Sequence, residues 1–570
     1  MAVYVAAIDF GTTYSGYAFS VSSPNTELKN VEILSNQVWN SGTAEVASLK
    51  TPTCLLLTKE RDLVAFGYEA EEQYADIVMD GHADDYYFFH RFKMNLHNNQ
   101  NIRMSMVLED VRGKPLPAID VFSLSIQALK CHLHSSIEVK NIEFDKRQTK
   151  WVLTVPAIWT DTAKQFMRKS AEKAGIPRDN LTIALEPEAA SIYCQTFPSP
   201  GCQEIAEIGS RYMVVDLGGG TVDITVHEKN ANGTLKEVVK ASGNGCGGTF
   251  IDDEFIQLFV RIFGRPIMNS LKSEFPDSYL YLLRSIENVK RVYETSQTRK
   301  VNITIPRSTL DDLCQSYLGE NITTVINSSS LSSNIEIIRD KIRIEPVFVE
   351  SLFKATCDNV VSLLQSVLQQ SAVPNVTKIL LVGGFADCKV IQNTMKSAFL
   401  NENIILQEDT STIVLKGAVL FGYTSDYISS RMARYTYGIE IDCHFDDKVH
   451  AMEKIKVESG KRYCKNVFSP FMKINTPISV GHTIEKTYET REQFQRTCLY
   501  QVFYTKHENV MYTDTGECSL LGEFTIHFIN PTKHTREMKV IFNFGDTEFS
   551  LTVIDVESKS EKKEFFELQR

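Results

Sequence analysis

Residue types that can hold a phosphate and a hydrated cation recur at two places in this chain. Across residues 213–226 an apolar run ends at Asp216, passes through Gly218, Gly219, Gly220 and Thr221, meets Asp223 and resumes as alternating β-branched residues. That order reads as strand, tight turn, strand. Glycines let main-chain N–H groups converge on an anion with no Cβ in the way, the Thr221 hydroxyl adds a donor, and the flanking carboxylates can hold a hydrated divalent cation. Taken alone, such a run is more often a plain glycine-rich hairpin. Residues 5–18 repeat the plan: an apolar strand, Asp9, a turn of Gly11, Thr12 and Thr13, and a second strand. Two copies predict two like lobes facing one nucleotide.

A third turn, Gly383-Gly384-Phe385-Ala386-Asp387, follows another buried-looking strand and precedes a helix. In order and spacing the three stretches resemble the two phosphate loops and the adenosine loop of the superfamily that holds actin, the sugar kinases and the heat-shock 70 kDa ATPases. The whole-chain pattern is most similar to the divergent heat shock 70 kDa protein 12 branch. The resemblance implies ATP or ADP with Mg2+ as cofactors. It puts the phosphates on the N–H groups of Gly11-Thr12-Thr13 and Gly218-Gly219-Gly220-Thr221, with Asp9 and Asp216 holding the metal through water. It gives Asp223 and Glu186 the task of orienting water and Lys93, with Arg91 as the alternative, that of stabilising developing charge; Thr221 joins them as a catalytic candidate. Gly247 and Gly248 open a helix and inherit the anion-binding logic of a helix N-terminus. Glu287, Lys290 and Arg291 match the adenosine pocket, the arginine against the base and the glutamate at the ribose, and Gly383, Gly384 and Asp387 belong to its other side. Phe385 stands where the family usually places serine.

The elements that must position these residues are legible along the chain. Residues 1–66 read as strands and turns, and the aromatic run around Tyr86 to Phe92 leads to Lys93. An apolar strand at 150–156 precedes a helix at 161–175, with Thr160 or Asp161 as N-cap and Gly175 as the stop. Glu186 ends a strand and opens a helix of small residues, Ala189, Ala190 and Ser191, which permit close helix crossing. A helix at 410–422 supplies the matching Gly417, Ala418 and Gly422. Gly243, Gly245 and Gly248 satisfy a dinucleotide-type spacing, but no parallel β-α-β unit surrounds them. The 279–296 segment is a charged amphipathic helix whose Glu, Lys and Arg also fit i,i+3 and i,i+4 surface pairing. Residues 300–344 read as β-rich, with a polar surface loop at 328–334. From about 434 onward the pattern is short strands with turn punctuation, an antiparallel sandwich.

Composition bounds the rest. At 570 residues the chain is long for one core, and 43% hydrophobic with 23% charged residues describes a globular protein. A net charge of −11 without a basic face argues against nucleic acid, and the longest apolar runs fall far short of a membrane span. Twelve cysteines occur singly with no Cys-x-x-Cys pair, which predicts structural thiols rather than zinc or a disulfide framework. The start has no basic n-region, so the expected location is cytoplasmic, with the nucleus as a second compartment. The expected fold is α/β: a two-lobed actin-like ATPase domain (1–425), a polar and basic linker (426–433) and a mostly antiparallel β-sandwich (434–570) without a helical lid. The expected function is a slow Mg-dependent ATPase whose lobe closure is coupled to a protein or peptide client on the sandwich, with co-chaperones as further partners. Two alternatives stand beside it: a nucleotide-sensing scaffold without useful hydrolysis, and a small-molecule kinase on the same fold.

Overall fold

Two sheets with the same plan face each other. The computed structural model describes residues 3–565 apart from 24–25, 36–38, 40–48, 100, 143–147, 200, 296, 371–372, 374, 459, 529, 545–546 and 549, so the expected sandwich's last residues, 566–570, lie outside the described ones. In the first lobe the strand Val3–Phe10 pairs antiparallel with Tyr14–Ser22 on one side and parallel with Thr149–Val155 on the other, which pairs parallel with Leu181–Leu185. In the second lobe Arg211–Leu217 pairs antiparallel with Val222–Lys229 and parallel with Lys378–Val382, which pairs parallel with Asn403–Leu406. Hairpin, then two parallel strands outward: the order is the same in both lobes. The parallel strands read as continuous Val, Leu and Ile because both their faces are covered.

Each lobe's last parallel strand feeds a helix, Glu186–Thr196 in one and Thr410–Tyr423 in the other, and these two helices pack against each other between the lobes. Asp161–Lys173 is capped as its sequence predicts, the Thr160 hydroxyl accepting the Ala163 N–H at 3.2 Å and Gly175 following the last turn at φ 78°. The 300–344 segment differs from the sequence reading. Its three strands, Val301–Thr304, Ile335–Ile338 and Lys341–Ile344, enclose two helices, Arg307–Leu318 and Ile322–Ser328. Buried Leu310, Leu313 and Cys314 lie at helical spacing, Gly319 stops the first helix in the left-handed region, and Asn321 caps the second.

The C-terminal region is a sandwich of two antiparallel sheets. One orders Ile455–Glu458, Lys461–Met472, Thr436–His444, Thr497–Thr505 and Ser519–His527; the other His482–Glu489, Glu537–Phe544, Ser550–Asp555 and Glu561–Phe565. Phe471, Val502, Val540, Phe542 and Val553 meet between them. Where the sequence suggests a polar linker, the chain forms a strand. Ile428–Met432 adds parallel to Leu235–Asn244 and is extended antiparallel by Pro477–Ser479. Its basic character is internal: Arg431 forks onto the buried Glu188 carboxylate at 2.7 and 2.9 Å.

The strand's docking depends on a second carboxylate. Glu237 accepts the Met432 N–H at 2.8 Å, and burial pushes its carboxyl up to about 7 against the pull of that hydrogen bond and of Arg434 and Arg431, with Glu188 adding to the rise. A carboxyl raised in the docked state binds its proton more tightly there than when exposed, so docking is favoured below the exposed pKa and weakens as pH rises through about 7. Amides of 428–432, corrected for intrinsic exchange, are therefore expected to be better protected at pH 6 than at pH 8, and Glu237→Gln should remove the difference. Equal protection at both values would contradict this assignment.

The sandwich also grips the first lobe. Arg168 donates through Nε to both carboxylate oxygens of Glu548 at 2.7 and 2.8 Å, Thr547 donates to the Ile183 carbonyl at 2.6 Å, and Tyr437 donates to Asp161 at 2.6 Å. Glu548→Ala strands a buried guanidinium, which costs about 3 kcal/mol, the low end for breaking a buried pair because Arg168 also donates to the Leu181 carbonyl. Faster trypsin cleavage near Arg431 and Arg434 in the variant is the expected result; an unchanged cleavage rate refutes it.

Candidate functional site

The two glycine turns meet at their tips. A Cβ on Gly219 would lie 2.5 Å from the Thr13 hydroxyl oxygen, and one on Gly220 would lie 2.8 Å from that of Thr12. Each turn is pinned from behind. Thr53 donates its amide to the Thr13 carbonyl at 2.9 Å and its hydroxyl to the Gly11 carbonyl at 2.8 Å. Behind the second turn the amides of Gly247, Gly248 and Thr249 donate to the carbonyls of Gly220, Gly218 and Gly219 at 3.2, 3.0 and 2.8 Å. This corrects the sequence reading of Gly247 and Gly248. Their N–H groups, orphans at the start of the helix Thr249–Phe263, are used to hold the turn and do not point at a ligand. What they leave open are the turn's own donors: among the described residues the amides of Thr12, Thr13, Gly219 and Gly220 have no protein acceptor.

Those donors line a cleft of about 360 Å³ between the lobes. Its wall carries Asp9, Gly11, Thr12, Thr13, Lys93, Glu186, Asp216, Gly218, Gly219, Gly220, Thr221, Gly248, Glu287, Lys290, Arg291, Gly383 and Gly384 from the sequence-derived set. Three of that set, Asp223, Gly247 and Asp387, stand outside the wall. Asp223 sits behind it, accepting the Ile158 N–H at 2.8 Å through Oδ1 while its buried Oδ2 has no hydrogen-bond partner among the described residues. Asp387 accepts the Thr410 hydroxyl at 2.5 Å, which fixes the third turn.

Electrostatics concentrate at the inner end. Lys93 is buried, donates to Glu186 Oε1 at 3.0 Å and stands 5.0 Å from the Trp159 ring centre. Arg91, the alternative, has a different job: it crosses the cleft to the Asp252 carboxylate at 3.1 Å. Burial raises the Glu186 carboxyl to about 7, Lys93 opposing it and the charges of Asp9 and Asp223 adding to it. Burial also raises Asp216 well above the usual carboxylate range, with Glu186, Asp223 and Asp9 reinforcing it. Asp9 is held low despite its burial, by Lys50 at 2.5 Å, by Lys93 and by the Thr154 hydroxyl at 2.7 Å. Lys50 and Thr154 were not singled out from the sequence. The carboxylates supply hard oxygen donors, yet among the described residues no three His, Cys, Asp or Glu side chains converge as a direct ligand cage. The donor set fits a cation held through water, with the remaining coordination left to phosphate oxygens.

The outer end is a different environment. Tyr14 donates to Glu287 at 2.5 Å, and Arg291 donates to the other Glu287 oxygen at 2.7 Å with its guanidinium 5.6 Å from the Tyr14 ring centre. Lys290 is tied to Asp252 at 2.5 Å and to the Gly248 carbonyl at 3.2 Å, which makes it a strut between two helices. Phe385 is buried against Gly248 and presents an aromatic surface to the cleft.

Comparison with known proteins follows the same outline. The Hsp70 protein family profile matches residues 138–568. The chain is 31% identical to heat shock 70 kDa protein 12A of Homo sapiens over 617 residues, covering 98% of this chain and 90% of that protein. It is 32% identical to heat shock 70 kDa protein 12B of Homo sapiens over 620 residues, covering 97% and 89%. A more distant match is chaperone protein HscA of Buchnera aphidicola, 24% identical over 572 residues.

Proposed function

The chain belongs to the Hsp70 protein family, and from that premise we propose that it binds ATP between its lobes, hydrolyses it slowly with a hydrated Mg2+, and passes the state of the cleft to a protein or peptide held by the sandwich. The observation that carries the reading is the pair of glycine turns that meet at their tips in one cleft, their Thr12, Thr13, Gly219 and Gly220 amides without a protein acceptor among the described residues, beside a cluster of buried carboxylates. Amides aimed at one point form an anion cradle, and acids without enough internal cations call for a metal.

A hydrated Mg2+ at Asp9 and Asp216 would supply positive charge against the phosphates. The residues do the rest. The Gly219, Gly220, Thr12 and Thr13 amides orient the phosphates, with Asp9 and Asp216 fitted to hold the hydrated ion. Glu186, with a carboxyl near 7, holds the attacking water and accepts its proton. Lys93 keeps that carboxylate in place and offers positive charge to the oxygens that gain it. Closure of the lobes presses on the strand Ile428–Met432, which leads into the sandwich. Protein clients and co-chaperones are the partners this reading proposes, in a cytoplasmic or nuclear setting.

A scaffold that senses nucleotide without hydrolysing it has one observation in its favour: Lys93 and Asp9 already have internal partners. Single-turnover hydrolysis of ATP by purified protein decides between them, a measurable Mg-dependent rate supporting the ATPase and none above buffer supporting the scaffold. Phosphate transfer to an added alcohol would instead revive the kinase.

A further inference from the structure

Lys50 occupies the corner of the cleft assigned to the metal. Its ammonium lies 2.5 Å from Asp9 Oδ2, while Asp9 Oδ1 accepts the Thr154 hydroxyl at 2.7 Å, so neither oxygen of that carboxylate is idle. The side chain is only 15% exposed and lines the cleft. It is also anchored. The residues that follow it are stapled to the first phosphate turn, Thr51 pairing with Ser15 and Pro52 with Tyr14, and Thr53 bonding Thr13 and Gly11. Its stem runs close to Gly16, where an added Cβ would lie 3.0 Å from Lys50 Cγ. A lysine held this way is not a surface side chain that reached inward by chance.

The charge of the site points the same way. Asp9, Glu186, Asp216 and Asp223 are buried together, and of the cations near them Lys93 serves Glu186 while Lys50 serves Asp9. We propose that Lys50 is a tethered cation that stands in for part of the divalent metal's charge at Asp9, so that the cleft retains ATP when no divalent cation is present. The inference rests on the ATP-binding reading above. An ammonium beside the phosphate cradle supplies attraction to the polyphosphate that a cleft without it must draw from the metal. The same ammonium competes with a hydrated metal for Asp9, so a divalent cation added alone binds this cleft weakly.

The test is ATP affinity by calorimetry, in excess Mg2+ and in excess chelator, for the full chain and for Lys50→Met, which keeps the stem and removes the charge. In the wild-type protein, chelation is expected to weaken ATP by less than about tenfold, and in Lys50→Met by about a hundredfold or more, each relative to the same protein in Mg2+. Mn2+ binding without nucleotide, read by electron paramagnetic resonance, should tighten in the variant. A wild-type loss of a hundredfold on chelation overturns the proposal by itself, whether or not the variant folds, and so does an equal loss in both proteins. Absence of ATP binding in the wild type under either condition overturns the nucleotide reading and this one with it.

Discussion

Glu186→Gln should lower the single-turnover rate of ATP hydrolysis by ~10²-fold or more while changing ATP affinity by less than about threefold. The expectation follows from where the residue sits. The strand Leu181–Leu185 ends at the cleft, and Glu186 opens the next helix with its carboxylate on Lys93 at 3.0 Å. Glutamine fits the same space and can still accept the Lys93 hydrogen bond, so the buried ammonium keeps a partner and the fold is not challenged. What it cannot do is accept a proton from water. The phosphate cradle, built from the amides of other segments, is untouched. Asp223→Asn offers a comparison, because that carboxylate lies behind the wall: its effect must pass through the Ile158 amide and the second turn, and should be smaller. If both variants hydrolyse ATP at the wild-type rate, the water-orienting role of Glu186 is wrong. If Glu186→Gln alone binds it with a tenfold loss, Glu186 touches the nucleotide directly.

What the sequence disclosed and what it hid divide along a physical line. The hairpins around Asp9 and Asp216 were legible because the whole device lies within a dozen consecutive residues: strand, carboxylate, small-residue turn, strand. The helix Asp161–Lys173 was legible for the same reason, its cap and stop being adjacent to it. Gly247 and Gly248 were misread because helix-start amides look alike in sequence whether they meet a ligand or a carbonyl, and their acceptors come from the turn at Gly218 to Gly220. Lys50 and Thr154 reach Asp9 from 41 and 145 residues away, a separation at which no local pattern survives. The segment around Arg431 looked like a polar linker because its guanidinium is the visible feature, whereas the Glu188 that neutralises it lies 243 residues away. With that charge internalised, the strand joins a sheet, which gives the cleft a firmer path to the sandwich than composition suggested.

The lobes are tied where two helix backbones touch, and Gly417→Ala should part them. In the sequence, Gly417 and Ala418 on one helix and Ala189 and Ala190 on the other suggested a close crossing; in the structure an added Cβ at Gly417 falls well inside contact with the Ala189 carbonyl oxygen. The obstacle is backbone, so no rotamer change relieves it. Overpacking of this kind costs ~3 kcal/mol, the upper end of the usual range, and the better helix propensity of alanine returns only ~1 kcal/mol. Gly422 makes a useful contrast, since the atoms an added Cβ would meet there belong to the side chains of Val5 and Val152 and not to backbone, and lie farther off than the carbonyl oxygen at Gly417. Gly384→Ala is the neutral control: no atom lies within 4 Å of its Cβ position. Glu186 is three residues from Ala189 on the same helix, so parting the helices also moves the carboxylate away from Lys93. Gly417→Ala is thus expected to lose both stability and hydrolysis, Gly422→Ala to lose less of each, and Gly384→Ala to keep its stability. Urea denaturation of the nucleotide-free proteins measures the first and single-turnover assays the second. A Gly417→Ala protein that unfolds at the wild-type midpoint would mean the lobes are held together elsewhere, by the turn tips and the Arg91–Asp252 bridge, with the crossing a passive neighbour.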